Sequence, residues 1–189
     1  MLFRSVAGTT DPFTGSQFFS DNPSADNTFA ASDIAAFLAN GTALTLQANN
    51  DITLAAASDI ITTPVSGNGG DITLQAGRSV MLNSNINSAN GNITIVANET
   101  AANGVFDAHR SAGAAEIRMA PGTTINSGTG NISLTLSTGA GLTNNQSGAI
   151  EVANLTTTTG SVSVVNTGSG VGGGPIDMVA TPARSEEHV

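Results

Sequence analysis

The sequence contains no cysteine, lysine, tryptophan or tyrosine. Without cysteine the chain can form neither disulfides nor thiolate metal sites. Charged residues make up 10% of the chain, against about 25% in a typical domain, and the formal net charge is −9. Five arginines supply all the positive charge, so the clustered cations that bind nucleic-acid phosphates are missing. We therefore expect no nucleic-acid partner.

Long apolar segments are also missing. No apolar run approaches the roughly 18 residues that a membrane-spanning helix needs, so we expect no membrane insertion. No charged-then-apolar signal peptide opens the chain. The lack of cysteine fits either a cytosolic protein or an exported protein that stays unfolded while it crosses a membrane.

The two ends carry related tetrapeptides. The LFRS sequence of residues 2–5 can be encoded by CTCTTCCGATCT, and the reverse complement of that DNA encodes RSEE, the sequence of residues 184–187. We interpret residues 1–5 and 184–189 as adapter-derived tails on an internal fragment of a longer protein. The alternative is that both are ordinary termini, and the fold prediction is the same in either case.

What the chain does contain begins with a phenylalanine-rich segment. Four of its seven phenylalanines lie within residues 6–31, with two prolines among them. A helical pattern follows over residues 33–39, with Ser32 placed as the N-cap and Gly41 as the C-terminal stop. We predict that residues 6–40 are an irregular segment and a short helix that cap the rest of the fold.

After Gly41 the apolar residues alternate with polar ones. Nine short runs follow this period-2 pattern, which is typical of strands with one buried face: ALTLQA, DITLAA, DITLQA, SVMLNS, NITIVA, EIRMAP, NISLTL, AIEVAN and SVSVVN. A glycine opens a similar unit at residues 70, 91, 130 and 160, with separations of 21, 39 and 30. We interpret 21 as one period, 39 as about two, and 30 as a period with an irregular loop.

This spacing predicts a stacked architecture over residues 41–180. Several strands in each period of about 20 residues describe a parallel β-helix, a solenoid whose successive turns bury one another's apolar face. Equivalent aliphatic residues such as Ile52, Ile72 and Ile93 should stack, with adjacent strands ~4.8 Å apart. The corners need a positive φ or a side chain that bonds the backbone, which we assign to Gly67, Gly69, Gly91, Asn83, Asn90 and Asn126.

One stretch interrupts the alternation and concentrates the chain's side-chain chemistry. Residues 98–116 contain Asp107, His109 and Arg110, with Glu99 and Glu116 near the ends. We predict an excursion from the solenoid. Its functional interpretations are an acid–base or paired-carboxylate site for polysaccharide cleavage and a loop that contacts a ligand or partner. The alternative without a function is a plain solvated loop, which we favour over both functional interpretations.

Two weaker motifs have structural alternatives. Gly67, Gly69, Gly70 and Asp71 match a calcium-binding nonapeptide imperfectly and only once. The threonine run at 156–159 could form a hydroxyl face for ice or sugar, although a corner or exposed strand explains it better. One histidine outside the tail cannot build a three-ligand zinc site. We therefore predict no catalytic residue, no metal and no cofactor.

The stretch GDITLQAGRSVMLNSNINSANGNITIVAN, with LQANNDITLAAASDIIT before it, resembles the repeat region of filamentous-haemagglutinin-like exoproteins of two-partner secretion systems. The resemblance extends from about residue 41 to residue 179. It implies a right-handed parallel β-helix and export through an outer-membrane transporter to the surface of a Gram-negative bacterium. It also implies a structural stalk of a secreted adhesin whose partner is a glycan or protein receptor. The alternative is a β-helix polysaccharide lyase or hydrolase.

Overall fold

The structure is a computed structural model that describes residues 11–168 and 174–179, together with the backbone of residues 2–5. In this part of the chain, sixteen strands form three sheets and the only α-helix is α1, Ala31–Ala39. All strand pairings are parallel. The predicted all-β class is confirmed.

Each sheet gathers strands from distant parts of the sequence. Sheet I contains β3 (Leu44–Ala48), β6 (Ile72–Ala76), β9 (Ile93–Ala97), β12 (Ile132–Leu136) and β15 (Val162–Asn166). Sheet II contains β1 (Leu2–Ser5), β2 (Asp26–Phe29), β4 (Ile52–Leu54), β7 (Val80–Leu82), β10 (Ala115–Met119), β13 (Ser147–Val152) and β16 (Ile176–Met178). Sheet III contains β5 (Ile60–Ile61), β8 (Ile86–Asn87), β11 (Thr124–Asn126) and β14 (Asn154–Thr156).

From β3 onward the chain visits sheets I, II and III in a fixed order and then returns to sheet I beside its previous strand. We call one such passage a circuit. Circuits 1 to 4 begin at β3, β6, β9 and β12, and a fifth supplies β15 and β16. The nine predicted strand runs are all present as strands. The four strands of sheet III lie outside these runs.

Equivalent residues of successive circuits lie side by side. In sheet I, Leu44 pairs with Ile72, Ile72 with Ile93, and Ile93 with Ile132. Each of these four side chains is buried in one core shared by the three sheets, where burial of an Ile or Leu contributes about 1.5–3 kcal/mol. The prediction that Ile52 stacks with Ile72 is wrong, because its partner in sheet II is Val80.

The repeated glycine stands where consecutive circuits approach most closely. A Cβ on Gly91 would lie 2.2 Å from the carbonyl oxygen of Gly70, and one on Gly130 would lie 2.4 Å from that of Gly91. A side chain cannot fit against a backbone at that distance. The interval of 39 residues is therefore one circuit and not two, because Gly91 and Gly130 are direct neighbours.

The other predicted corners divide into two groups. Gly67 (φ +66°) and Asn90 (φ +80°) have the expected left-handed backbone, whereas Gly69 and Gly91 do not. At Gly69 the requirement is again space, since a Cβ would lie 2.0 Å from the backbone oxygen of Ser88. The side chain of Asn126 accepts a bond from the Gly128 N–H at 2.8 Å, as a corner residue should.

Polar side chains also stack along the molecule. Asp71 accepts from the Asn92 N–H at 2.7 Å, Asn92 accepts from the Asn131 N–H at 2.9 Å, and Asn131 accepts from the Ser161 N–H at 2.8 Å. Each residue immediately precedes a sheet I strand. This ladder joins four consecutive circuits and replaces water as the partner of each exposed N–H.

Residues before the first complete circuit pack over its open side. Helix α1 contacts β5, and its Ile34 and Leu38 are fully buried in the main core. The helix begins two residues earlier than predicted. Its N-cap is Ala30 and not Ser32, because the chain is already helical at residue 31. Gly41 (φ +71°) ends the helix as predicted, with its N–H bonded to the Leu38 carbonyl.

The interpretation of the two ends as adapter-derived tails stays a prediction. The backbone of residues 2–5 forms β1 and lies between β2 and β4 in sheet II. Residues 184–189 lie outside the described residues, as do residues 6–10 of the predicted 6–40 segment.

Candidate functional site

The excursion lies between β9 and β10 and spans residues 98–114, because β10 already begins at Ala115. It contains two short 3₁₀ helices, Ala101–Asn103 and Asp107–His109. Instead of projecting into solvent, it runs back over the earlier circuits. The Phe106 N–H donates to the Asn49 side chain at 2.9 Å, which connects the third circuit to the first.

Arg110 is the centre of the excursion and is only 4% exposed. Its Nε donates to the carbonyl oxygen of Gly77 at 2.9 Å, and Nη2 donates to Asn98 Oδ1 at 3.1 Å. Nη1 donates to the Ser111 carbonyl at 2.6 Å, and the Gly113 carbonyl lies 3.4 Å from Nη1 and 3.5 Å from Nη2. All its partners are neutral oxygens, so the guanidinium cross-links backbone and is not available to a ligand.

The charge on Arg110 has no paired carboxylate. Burial and the nearby Arg78 lower the pKa of Arg110, in that order of importance. The two ion pairs in the described part of the chain are Arg78 with Asp51 and Arg118 with Glu151. An arginine nevertheless keeps its proton at any physiological pH. Arg110 is therefore a buried cation whose direct partners are hydrogen-bonded neutral oxygens, while the charges of Asp51 and Asp107 favour it from a longer distance.

Asn98 holds the start of the excursion in place. It is fully buried, has a left-handed backbone (φ +52°), and accepts the bond from Arg110. Its Nδ2 donates to the Ser137 carbonyl at 3.1 Å, the Asn145 carbonyl at 3.0 Å and Ser147 Oγ at 2.8 Å. Asn98 thus connects the excursion to the loop at residues 137–146 of the next circuit.

Asp107 is exposed, and its carboxylate bonds Thr143. Its Oδ1 accepts from the Thr143 N–H at 2.8 Å and its Oδ2 accepts from the hydroxyl at 2.6 Å. These two bonds lower the pKa of Asp107, the side-chain bond more than the backbone bond. A carboxylate held in its charged form by a neighbouring loop is a poor general acid.

His109 and the two glutamates take separate positions. The His109 ring lies edge-on to Phe106, with centroids 6.4 Å apart. Glu99 is buried and accepts bonds from Thr100, Asn103 and Gln75. Glu116 lies in β10 and not in the excursion, contrary to the predicted end at residue 116.

The three residues of the predicted site, Asp107, His109 and Arg110, are therefore close in sequence but contact different parts of the chain. Within residues 11–168 and 174–179, no side-chain hydrogen bond or ion pair joins Asp107, His109 and Arg110. Arg110 and Asp107 bond other parts of the chain. Contact of this loop with a partner stays a prediction.

A charged pair that sequence reasoning missed lies beneath the excursion. Arg78 binds Asp51 in a bidentate ion pair, with Nε to Oδ1 at 2.8 Å and Nη2 to Oδ2 as the second contact. The bond to Asp51 is the main cause that raises the pKa of Arg78. The Arg78 Nη1 also donates to the carbonyl of Ala112 in the excursion at 2.9 Å. The sequence predicts this pair only once the pairing of β4 with β7 is known, because Asp51 and Arg78 lie just before these two strands.

The weaker motifs are also structural. Asp71, of the calcium-like stretch, bonds Asn92, and no group of three or more His, Cys, Asp or Glu in the described residues could hold a metal ion. In the threonine run, Thr156 ends the exposed β14 and Thr157 forms a corner, where its hydroxyl donates to the Gly130 carbonyl at 2.8 Å.

Comparison with known proteins gives no relative: no family model, no curated protein and no solved structure matches this chain. Among the described residues, no helix is both long and apolar enough to cross a membrane.

Proposed function

We propose that this chain is a segment of a right-handed parallel β-helix that serves as the structural stalk of a large secreted bacterial surface adhesin. Three observations on the fold support the solenoid: the fixed order of the sheets, the parallel pairing and the alignment of equivalent residues in successive circuits. The resemblance to filamentous-haemagglutinin-like exoproteins supports the adhesin. A stalk carries binding regions away from the cell, and its contribution is stiffness.

The observation that carries the proposal is the use of polar side chains for stacking. The chain has few charged groups, and those of the excursion bond neighbouring circuits or loops. Asp71, Asn92 and Asn131 repeat the same bond from one circuit to the next. In such a molecule each circuit is stabilised by the circuits beside it, with no need of a bound ion or ligand.

Export follows from the same physics. A chain without cysteine forms no disulfide that would block passage through a transporter. Each circuit buries its apolar face on the one before it, so folding can advance as the chain emerges. The resemblance to filamentous-haemagglutinin-like exoproteins adds the location and the partners that we propose: the cell surface of a Gram-negative bacterium, an outer-membrane two-partner-secretion transporter, and a glycan or protein receptor.

The alternative of a polysaccharide lyase or hydrolase has less support. It requires an acid–base pair around Asp107 and His109, but the Asp107 carboxylate bonds Thr143 and the His109 ring lies against Phe106. A cleaving site also needs groups whose pKa values are tuned in opposite directions. In the excursion the acid is held in its charged form and has no such partner.

Surface display tests the stalk. Residues 11–179 are inserted between the secretion domain of a two-partner exoprotein and a terminal epitope, with the matching transporter co-expressed. We expect the epitope to reach the cell surface and residues 11–179 to resist protease. A matched insert that carries Gly91→Val, which blocks stacking, should be exported but digested.

Retention of the epitope inside the cell, or equal digestion of both inserts, would contradict the stalk. Incubation of the purified chain with pectin and alginate distinguishes the polysaccharide-cleaving enzyme from the stalk. Sustained cleavage that Asp107→Asn abolishes would favour the enzyme over the stalk.

A further inference from the structure

The excursion connects circuits that are not neighbours. In a solenoid each repeat normally contacts only the repeats beside it. The excursion belongs to the third circuit, yet its Phe106 N–H donates to Asn49 Oδ1 in the first. The Ser111 N–H also donates to Asn50 Oδ1 at 3.2 Å, and Asn50 Nδ2 donates to Ser111 Oγ at 3.1 Å. Three hydrogen bonds therefore pass over the second circuit and join the first to the third.

Other bonds hold the excursion to the second and fourth circuits. Towards the second circuit, Arg110 donates to the carbonyl oxygen of Gly77. Towards the fourth, the Ala101 N–H donates to the carbonyl oxygen of Ala140 at 3.0 Å. One loop of the third circuit is thus bonded to each of the other three circuits that precede or follow it up to the fourth.

A small apolar cluster, separate from the main core, extends this connection to the segment before the first circuit. It contains Phe19 from that segment, Val105 from the excursion and Leu142 from the fourth circuit, each at most 5% exposed. Asn49 Nδ2 also donates to the carbonyl oxygen of Phe19 at 2.9 Å. The two ends of this cluster belong to parts of the chain that stacking alone would keep several circuits apart.

Tension along the solenoid loads these contacts. A pull on the two ends of the chain strains the parallel pairings between circuits one after another. An end circuit that is bonded only to its neighbour peels away alone. Here the first circuit leaves the second only when the excursion releases it, and the excursion is itself held by the fourth circuit.

We propose that the excursion is a strap that carries tension from the first circuit to the fourth, so that circuits 1 to 4 open as one unit. The load-bearing role rests on the proposed stalk, because a stalk is pulled along its axis. The coupling between circuits is a property of the isolated chain and can be measured on it. It gives a role to the hydrogen-bonding side chains that are concentrated in residues 98–114.

Optical-trap unfolding of the full chain, pulled by handles at its two ends, tests the strap. The native chain should release circuits 1 to 4 in one step. The strap variant carries Asn50→Ala, which removes both bonds to Ser111, and Val105→Ala, which weakens the apolar cluster. We expect it to open in separate steps that match the intervals of 28, 21, 39 and 30 residues between register partners in sheet I. Its first step should be at least about tenfold faster at the same force.

The matched control carries Asp59→Ala and Val164→Ala. Asp59 accepts two bonds from Asn85 of the adjacent circuit, at 2.8 and 3.1 Å, so the control loses as many hydrogen bonds as the strap variant. Val164 lies in the fifth circuit, partly buried against the main core. The control should still release circuits 1 to 4 in one step. An unchanged strand signal in circular dichroism checks that both variants fold.

A double-mutant cycle measures the same coupling at equilibrium. Phe19→Ala and Leu142→Ala together should lose less stability in urea titration than the sum of the single losses, because both residues belong to the cluster with Val105. Phe37→Ala with Leu142→Ala is the control, since Phe37 packs against the main core instead. The losses of this control pair should add.

Opening of the native chain circuit by circuit would overturn the proposal, as would additive losses for Phe19→Ala and Leu142→Ala. The same pattern of steps in the strap variant and in its control would also overturn it. Failure of surface display would leave all these results unchanged, and would remove the stalk but not the coupling between circuits.

Discussion

The circuit from β6 to β9 takes 21 residues and the next, from β9 to β12, takes 39, yet both return the chain to sheet I in the same register. The short circuit crosses from sheet I to sheet II in three residues, 77–79, whereas the long one does so through the excursion. It follows that the register is set at the glycine corner and by the apolar side chains that pair between circuits. Circuit length can vary if the inserted backbone finds its own partners.

The two circuits differ in how their polar groups are satisfied. They share the close backbone contact at the glycine corner, as at Gly91, where no side chain fits. In the short circuit the N–H groups of Gly77 and Arg78 donate directly to the carbonyl oxygens of Ala48 and Asn50. The long circuit uses Asn98 and Arg110, whose side chains donate to the backbone carbonyl oxygens of Asn145 and Gly77 around the excursion. Loss of the close contact at the glycine corner, or of the side-chain bonds of Asn98 and Arg110, should destabilise the fold. The expected losses of stability can be ranked.

The largest effect is expected from Gly91→Val, which removes the close backbone contact at the glycine corner that both circuits use. Its Cβ would lie 2.2 Å from the Gly70 carbonyl oxygen. We expect loss of more than about 4 kcal/mol, which is enough to abolish the strand signal in far-ultraviolet circular dichroism at room temperature. Gly67→Asn is the control, because Gly67 has a positive φ and no atom near its Cβ position. A folded Gly91→Val variant would contradict the close-contact explanation.

Asn98→Ala should be next, because it affects only the long circuit. It removes three donated bonds, leaves Arg110 Nη2 with only its 3.5 Å contact to the Gly113 carbonyl, and places alanine at a positive φ. We expect a decrease of about 3 kcal/mol in the free energy of unfolding, measured by urea titration. Asn98→Gly separates the causes, since glycine tolerates the backbone but lacks the amide. If glycine restores full stability, the amide has no role.

Arg110→Met should have a smaller effect of about 2 kcal/mol. The substitution leaves the carbonyl oxygen of Gly77 without its donor, but it also removes a cation that is costly to bury. Urea titrations of the Arg110→Met variant, the Asn98→Ala variant and the double variant give the coupling energy between the two residues. We expect the double variant to lose less than the sum of the single losses, because Arg110 and Asn98 share a bond. Strict additivity would contradict the shared network.

Asp107→Ala should have the smallest effect, and a pH-dependent one. The pKa of Asp107 is lowered in the folded protein from its ordinary value of 3.8, so its bonds to Thr143 stabilise the fold above that value. This contribution is lost as the pH falls through the lowered pKa. The difference in melting temperature between the native chain and Asp107→Ala should therefore be present at pH 7, begin to decline near pH 3.8 and vanish only once the pH is below the lowered pKa. A difference that persists at low pH would exclude the carboxylate as its cause.

Sequence reasoning predicts the strands well because alternation is a local signal. Runs such as ITLQA and ITIVA alternate between buried and half-buried along their whole length. The nine runs do not include the four strands of sheet III, β5, β8, β11 and β14, which have two or three residues each. Sequence reasoning misreads the interval from Gly91 to Gly130 as two periods, because an inserted loop and a complete extra circuit are of similar length. Only the pairing of strands distinguishes the two.

The candidate site shows a different limit. The sequence identifies Arg110 as part of an unusual loop, but the partners that bury it lie 33 residues earlier, at Gly77, and 12 residues earlier, at Asn98. No local pattern announces these contacts. The pair of Asp51 and Arg78 is hidden for the same reason, since it forms between adjacent circuits.

Cysteine cross-linking across the long circuit tests whether circuits of unequal length stack in register. The native chain has no cysteine, so introduced pairs are unambiguous. Thr94 and Ser133 are register partners on β9 and β12, with Cα atoms expected ~4.8 Å apart, within disulfide range. We predict that the variant with Thr94→Cys and Ser133→Cys oxidises to a disulfide, whereas Thr94→Cys with Thr135→Cys, two residues out of register, does not. If the first pair does not oxidise, or if both pairs oxidise equally, β9 and β12 are not paired in this register.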